Sequence, residues 1–170
     1  MKKVLIIDTS ILCVWLAVPG KDTCGPDNDK WDKERVNVKI QKETEARTTF
    51  VLPLATIIET GNHISQAAHT RRERGAALAA LMRKSADQQT PWAAFSDQSI
   101  LWSSDKLKFL ADTWPDLAMQ KLSLGDATIK DVADYYAQMG YSVEILTGDR
   151  GLKAYEPSVP PEIPRRRQRR

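Results

Sequence analysis

Val4-Leu5-Ile6-Ile7-Asp8-Thr9-Ser10 opens the chain with four uninterrupted apolar residues, then an acid and two hydroxyls. An unbroken run this short, rich in β-branched side chains, marks a strand buried on both faces. Asp8 ends it, and Thr9-Ser10 can cap a helix over Ile11 to Val18, which Pro19-Gly20 stops. Working outward, Phe50-Val51-Leu52, Ile100-Leu101-Trp102 and Tyr141 to Leu146 read as further strands, the last followed by Thr147-Gly148-Asp149. Helical patterns separate them, and strands alternating with helices predict an α/β fold with parallel strands. The expected architecture is a three-layer α/β/α sandwich around a mainly parallel sheet of four to five strands.

The helical stretches have their own signals. After Pro53, residues Leu54, Ile57, Ile58, Gly61, Ile64, Ser65 and Ala68 fall on one face. A helix over about 72–85 turns Leu78, Leu81 and Met82 inward. Ser104 can cap a helix carrying Leu107, Leu110, Ala111 and Trp114, with Pro115 closing it. Ser123 and Asp126 have capping-box spacing at the start of a helix that Gly140 ends. Between about 28 and 47 the pairs Lys30/Glu34, Lys39/Glu43 and Glu43/Arg47 stand four apart, which predicts a solvent-exposed helix. Its apolar stripe (Val36, Ile40) is thin, as in an arm resting lightly on the body or a contact surface for a partner.

At 170 residues the chain is expected to be one domain, over 1–156, with a Pro-rich then Arg-rich tail at 157–170. The net charge is +3, yet Arg165, Arg166, Arg167, Arg169 and Arg170 all lie in the last six residues. Removing those five arginines leaves the body at −2. The tail suits contacts with nucleic-acid phosphates, and equally a solvated segment that aids solubility. Cys13 and Cys24 make no disulfide framework, in keeping with a reducing cytoplasm. Asp8 interrupts the apolar N-terminal run, which argues for a buried strand and helix over a signal peptide, and no other stretch is long enough to cross a membrane.

Three acids hold equivalent positions. Asp8 and Asp149 lie at the C-terminal ends of predicted strands, and Asp126 in the first turn of a helix leading into one. Ligands of open α/β sheets gather at that edge. Carboxylates converging there repel one another unless a cation compensates them, and oxygen ligands favour Mg²⁺ or Mn²⁺. Each acid also suits a local task, as helix cap, capping-box acid or turn residue. Glu59 lies off the apolar face of its helix and reaches the others only if that flank faces the carboxyl edge.

The chain resembles the PIN-domain family at four points, in the family's order: Ile6-Ile7-Asp8-Thr9-Ser10, Leu52-Pro53 through Ile58-Glu59, Leu124-Gly125-Asp126-Ala127-Thr128-Ile129, and Leu146-Thr147-Gly148-Asp149-Arg150-Gly151-Leu152. The resemblance implies a metal-dependent ribonuclease, often the toxin of a toxin–antitoxin pair, with Asp8, Glu59, Asp126 and Asp149 holding Mg²⁺ or Mn²⁺. Ser10 and Thr147 match supporting polar positions. The implied partners are an RNA substrate, an antitoxin protein and a second copy of the chain. Hydrolysis is expected to leave a 5′-phosphate and a 3′-hydroxyl, with no histidine as base. Where the family often has Asp and Phe after the last acid, this chain has Gly151 and Leu152.

Two other classes compete. One is a PIN-like module that binds RNA or protein without cutting. The other is an acidic-pocket hydrolase such as an aspartyl phosphatase, against which Ser10 stands where that chemistry wants a second Asp; the adjacent early acids and separate phospho-acceptor of a receiver domain are not visible in this chain. Among lesser candidates, His63 is expected at the surface, and Arg71, Arg72 and Arg74 at a charged helix start. Trp15, Trp102 and Trp114 are expected in the core, with Trp31 and Trp92 at loops where bases could stack.

Overall fold

In a computed structural model, residues 1–159 are described; the arginines at 165–170 lie outside the described residues. Strand β1 (Lys3–Ile7) is central. It pairs in parallel with β4 (Thr49–Val51) through Val4–Thr49, Leu5–Phe50 and Ile6–Val51. On its other side it pairs in parallel with β5 (Ser142–Leu146) from Lys3–Ser142 to Ile7–Leu146. The sheet order is thus β4-β1-β5. The pleat sends Leu5 and Ile7 into one core and Val4 and Ile6 into the other, so helices cover both faces.

One face carries α1 (Thr9–Trp15), α2 (Lys33–Glu45), α3 (Leu54–Gln66) and α4 (Arg71–Ala86), which meet the sheet through Ile11, Val14, Val36, Ile64, Leu78 and Leu81. The other carries α6 (Leu124–Gln138) with Ile129, Val132, Ala133 and Tyr136. Helix α5 (Ser104–Met119) packs through Leu110 against Leu122 and Ala127, and α7 (Arg150–Lys153) closes the described fold. A separate hairpin pairs β2 (Thr23–Cys24) antiparallel with β3 (Trp31–Asp32).

The sheet has three strands, not four or five. Ile100-Leu101-Trp102 belongs to a 3-10 helix, Phe95–Trp102, with Ile100 54% and Trp102 43% exposed. Buried Gln98 holds that helix to the sheet: its Nε2 donates to Leu52 O at 2.9 Å and its Oε1 accepts from Leu54 N at 3.3 Å. The side chain thereby takes backbone groups at the end of β4, and a short apolar run does not distinguish this from a strand. A fourth segment touches β4 only at Trp92, through Phe50 N to Pro91 O and Ala93 N to Phe50 O, both 2.8 Å.

Other boundaries move for local reasons. Helix α1 stops at Trp15, because Ala17 takes φ +52° and Val18 N returns to Cys13 O at 3.0 Å, a Schellman closure. Ser103, one residue before the expected cap, caps α5, and Pro115 lies inside that helix with Ala111 at an exposed turn where water can take the orphaned carbonyl. On α3 the buried side is Thr56, Thr60 and Ile64, while Ile58 is exposed, because Thr56 Oγ1 donates to Ile7 O at 2.9 Å and rotates the helix toward β1. Met82 and Leu107 likewise face solvent.

The charged 28–47 segment is not a lightly resting arm. Val36 is fully buried, and Glu43 is 4% exposed beneath α2. Glu43 Oε1 accepts from Lys3 and Lys39, each at 2.7 Å, and its Oε2 accepts from Thr48 at 2.6 Å. Lys39 also reaches Glu144 of β5 at 2.9 Å, so the network ties α2 to two strands. Burial pushes the Glu43 carboxyl up, but hydrogen bonds from Lys3, Lys39 and Thr48 outweigh it and hold the pKa at about 2. A depressed carboxyl stabilises the fold above its ordinary range and loses that contribution as pH falls toward 2. Glu43→Gln is expected to cost about 2 kcal/mol at pH 7, because it leaves two ammonium groups sharing Glu144. Urea titrations at pH 7 and pH 2.5 check this: the gap between variant and wild type should shrink at the lower pH.

Candidate active site

In an open sheet the chain reverses direction about β1, which sends its first connection toward β4 and its later one to β5. The crevice between the C-terminal ends of β1 and β5 is therefore the switch point where ligands bind in such folds. Asp8 follows β1, and Thr147-Gly148-Asp149 follows β5.

Asp8 is 4% exposed and caps α1. Its Oδ2 accepts from Ser10 Oγ and Thr147 Oγ1, both at 2.7 Å, and more weakly from Ser10 N at 3.4 Å. Ser10 Oγ in turn accepts from Gly148 N at 3.0 Å, and Thr147 Oγ1 from Asp149 N at 2.9 Å. Ser10 and Thr147 thus stitch the ends of the two strands together around one carboxylate oxygen.

Asp149 caps α7, its Oδ1 accepting from Gly151 N at 2.7 Å and Leu152 N at 3.4 Å. A Cβ on Gly151 would stand 3.1 Å from that oxygen, so the glycine allows the close turn that aims Asp149. Glu59 projects from α3, and its Oε2 accepts from Thr9 Oγ1 at 3.0 Å. Its Oε1 lies 2.0 Å from where a Cβ on Gly125 would be, so the carboxylate rests on the bare Cα of the residue before Asp126. Asp126 enters through the first turn of α6, its N–H donating to Ser123 Oγ at 3.0 Å.

All four acids line one cleft of about 350 Å³, together with Thr9, Ser10, Cys13, Lys21, Thr23, Cys24, His63 and Ser123. Burial raises the Asp126 carboxyl first; Asp8 raises it further, a Ser123 hydrogen bond opposes, and Asp149 and Glu59 add to the rise, giving about 6. Burial likewise pushes the Cys13 thiol up to about 11 and the Cys24 thiol above its ordinary value. At neutral pH both are protonated thiols, which leaves the oxygens as the charged donors. That donor set fits a hard divalent cation in kind. Among the described residues, however, no three acids, histidines or cysteines stand close enough to hold an ion as they are.

The resemblance groups Asp8, Glu59, Asp126 and Asp149 with Ser10 and Thr147, while helical periodicity alone leaves Glu59 open. The four acids and Ser10 line the cleft, and Thr147 bonds to Asp8. His63 lines the cleft instead of standing apart on the surface, one turn beyond Glu59 on α3. Lys21, Thr23 and Cys24 were missed altogether; they arrive on a hairpin whose strands are two residues long, too short for any periodicity. Trp92 does not offer a base-stacking face: it is 5% exposed, stacked on Trp15 and edge-on to Phe50. Trp31 is covered by the Arg35 guanidinium at 3.8 Å. Arg71 turns back to Ala67 O at 2.7 Å, and Arg74 pairs with Glu73.

No protein-family model, curated protein or solved structure shows a match to this chain. Among the described residues no helix is long and apolar enough to cross a membrane.

The raised Asp126 carboxyl carries a stability consequence. A folded-state pKa above the unfolded one means that folding is opposed increasingly as pH rises from about 4 through 6. Asp126→Asn removes that charge, and at pH 7 without divalent metal it should stabilise the fold by about 1 kcal/mol after discounting for solvent screening. Chelator-treated protein melted at pH 7 and pH 4 tests this. The variant should melt higher only at pH 7.

Proposed function

We propose that this chain is a metal-dependent endoribonuclease of the PIN type, cutting RNA at the cleft between β1 and β5. The observation that carries the reading is the convergence of Asp8, Glu59, Asp126 and Asp149, far apart in sequence, on one cleft where the other three raise the Asp126 carboxyl. Burial first, and then the three neighbouring carboxylates, disfavour a charged Asp126, and a cation bound there would relieve that penalty.

Mg²⁺ or Mn²⁺ bound there would supply an acidified water and charge stabilisation on phosphate oxygens. The chain's residues supply the rest. Asp8 Oδ1 and Asp149 Oδ2 make no hydrogen bond within the described chain and remain available as donors, while their partner oxygens are fixed by Ser10, Thr147 and the α7 backbone. Thr9 holds Glu59 by one oxygen. Role as a toxin, an antitoxin partner, self-association and the arginines at 165–170 as phosphate contacts are further parts of this proposal.

A second reading keeps the cleft but not the chemistry. Since no three ligands are gathered in the described residues, a PIN-like module that binds RNA or protein without cutting is the specific alternative.

Calorimetric titration with Mn²⁺ and cleavage of a mixed panel of structured RNAs separate the two. Wild type should bind Mn²⁺ and cut, leaving 5′-phosphate ends, and Asp8→Asn and Asp126→Asn should each lose at least about 100-fold in rate, the scale of removing a charge-stabilising group. A 2′,3′-cyclic phosphate product, or metal binding without cutting across the panel, would count against the nuclease. Gly125→Ala gives an independent check on Glu59. The new Cβ meets only the end of a flexible side chain, so the melting temperature should barely move while Mn²⁺ affinity falls about tenfold.

A further inference from the structure

Among the described residues, the cleft that gathers four carboxylates also holds one permanent cation, Lys21. Three basic residues that bond to the turn between β2 and β3 are committed there. Lys30 pairs with Asp27 at 3.1 Å, Arg35 with Asp29 at 2.7 Å, and Arg150 donates to Asn28 at 2.5 Å. Among the described residues no carboxylate lies within ion-pair distance of the Lys21 ammonium.

Lys21 does not reach the cleft on a loose loop. Its N–H donates to the carbonyl of fully buried Val18 at 2.9 Å. Three residues later Cys24 is pressed against β5's exit: a Cβ on Gly148 would stand 2.7 Å from Cys24 Sγ and 2.8 Å from Gly25 N. Only glycine at 148 lets the hairpin sit so near Asp149. The backbone on both sides of Lys21 is therefore anchored, and its side chain is delivered to the rim of the acidic cleft.

A polyanion approaching four carboxylates is repelled unless a cation meets it. An ammonium with three donors and no ion-pair partner among the described residues is suited to a phosphate oxygen as a point charge. We propose that Lys21 binds a backbone phosphate of the RNA strand at the cleft, positioning the chain for cutting. The proposal rests on the nuclease reading of the same cleft and adds the hairpin as its substrate-binding wall.

The test compares full-length wild type, Lys21→Met and Lys21→Arg. Binding of a fluorescein-labelled short single-stranded RNA is followed by anisotropy in chelator over a range of salt. Cleavage of the same RNA is followed with Mn²⁺. The arginines at 165–170 are common to every variant, so they do not contribute to the difference. Lys21→Met should weaken binding about tenfold and reduce the salt slope by about 0.7, the value for one single-strand phosphate contact. KM should rise about tenfold while kcat falls far less, and Lys21→Arg should recover most of both. Binding by Lys21→Met within twofold of wild type at every salt concentration overturns the proposal, whether or not the protein cuts. Lys21-dependent binding with no cutting by wild type sinks the nuclease reading and leaves the phosphate contact standing.

Discussion

A carboxylate buried at the end of a central strand must find donors, and Asp8 finds them in Ser10 and Thr147 at 2.7 Å each. Everything around the cleft depends on that arrangement. Ser10 reaches across to Gly148 N and Thr147 back to Asp149 N, so the same hydroxyls that satisfy Asp8 fix the turn presenting Asp149. The two strand ends are thereby locked in register beyond the last backbone pairing, Asp8 N to Leu146 O at 3.1 Å.

Close backbone approach does the remaining positioning. Gly125 lets Glu59 settle over the start of α6, and Gly148 admits the hairpin against the β5 exit. Gly151, which stands where the resembled family often has an acid, orients Asp149 through its N–H. Its role is therefore geometric; the cleft already holds four carboxylates without it.

The opposite end of the sheet solves a different problem. Glu43, Lys3, Lys39 and Glu144 alternate in sign and bury a highly charged helix against the strands. At the cleft like charges accumulate, and Asp126 feels the other three. One end of the sheet is compensated internally, while at the other, among the described residues, the four carboxylates make no ion pair.

The sequence by itself determined the strands β1 and β5, the acids that follow them, and the Ser123 cap that begins α6. Each rests on neighbours in the chain: an apolar run, a hydroxyl two or three residues away, a turn glycine. Helical periodicity leaves Glu59 off the apolar face, and only the resemblance groups it with the acids. The tertiary structure brings it to the cleft, with α3 tied to β1 by the Thr56 bond to Ile7 O that no periodicity reveals. It alone decided that Ile100-Leu101-Trp102 is a 3-10 helix held by Gln98, and that Glu43 is buried although its i, i+4 pairs read as solvent-exposed. Lys21, Cys24 and His63 enter the cleft for the same reason. Their place is set by contacts between segments distant in sequence, and local pattern carries no record of what a residue will meet across the fold.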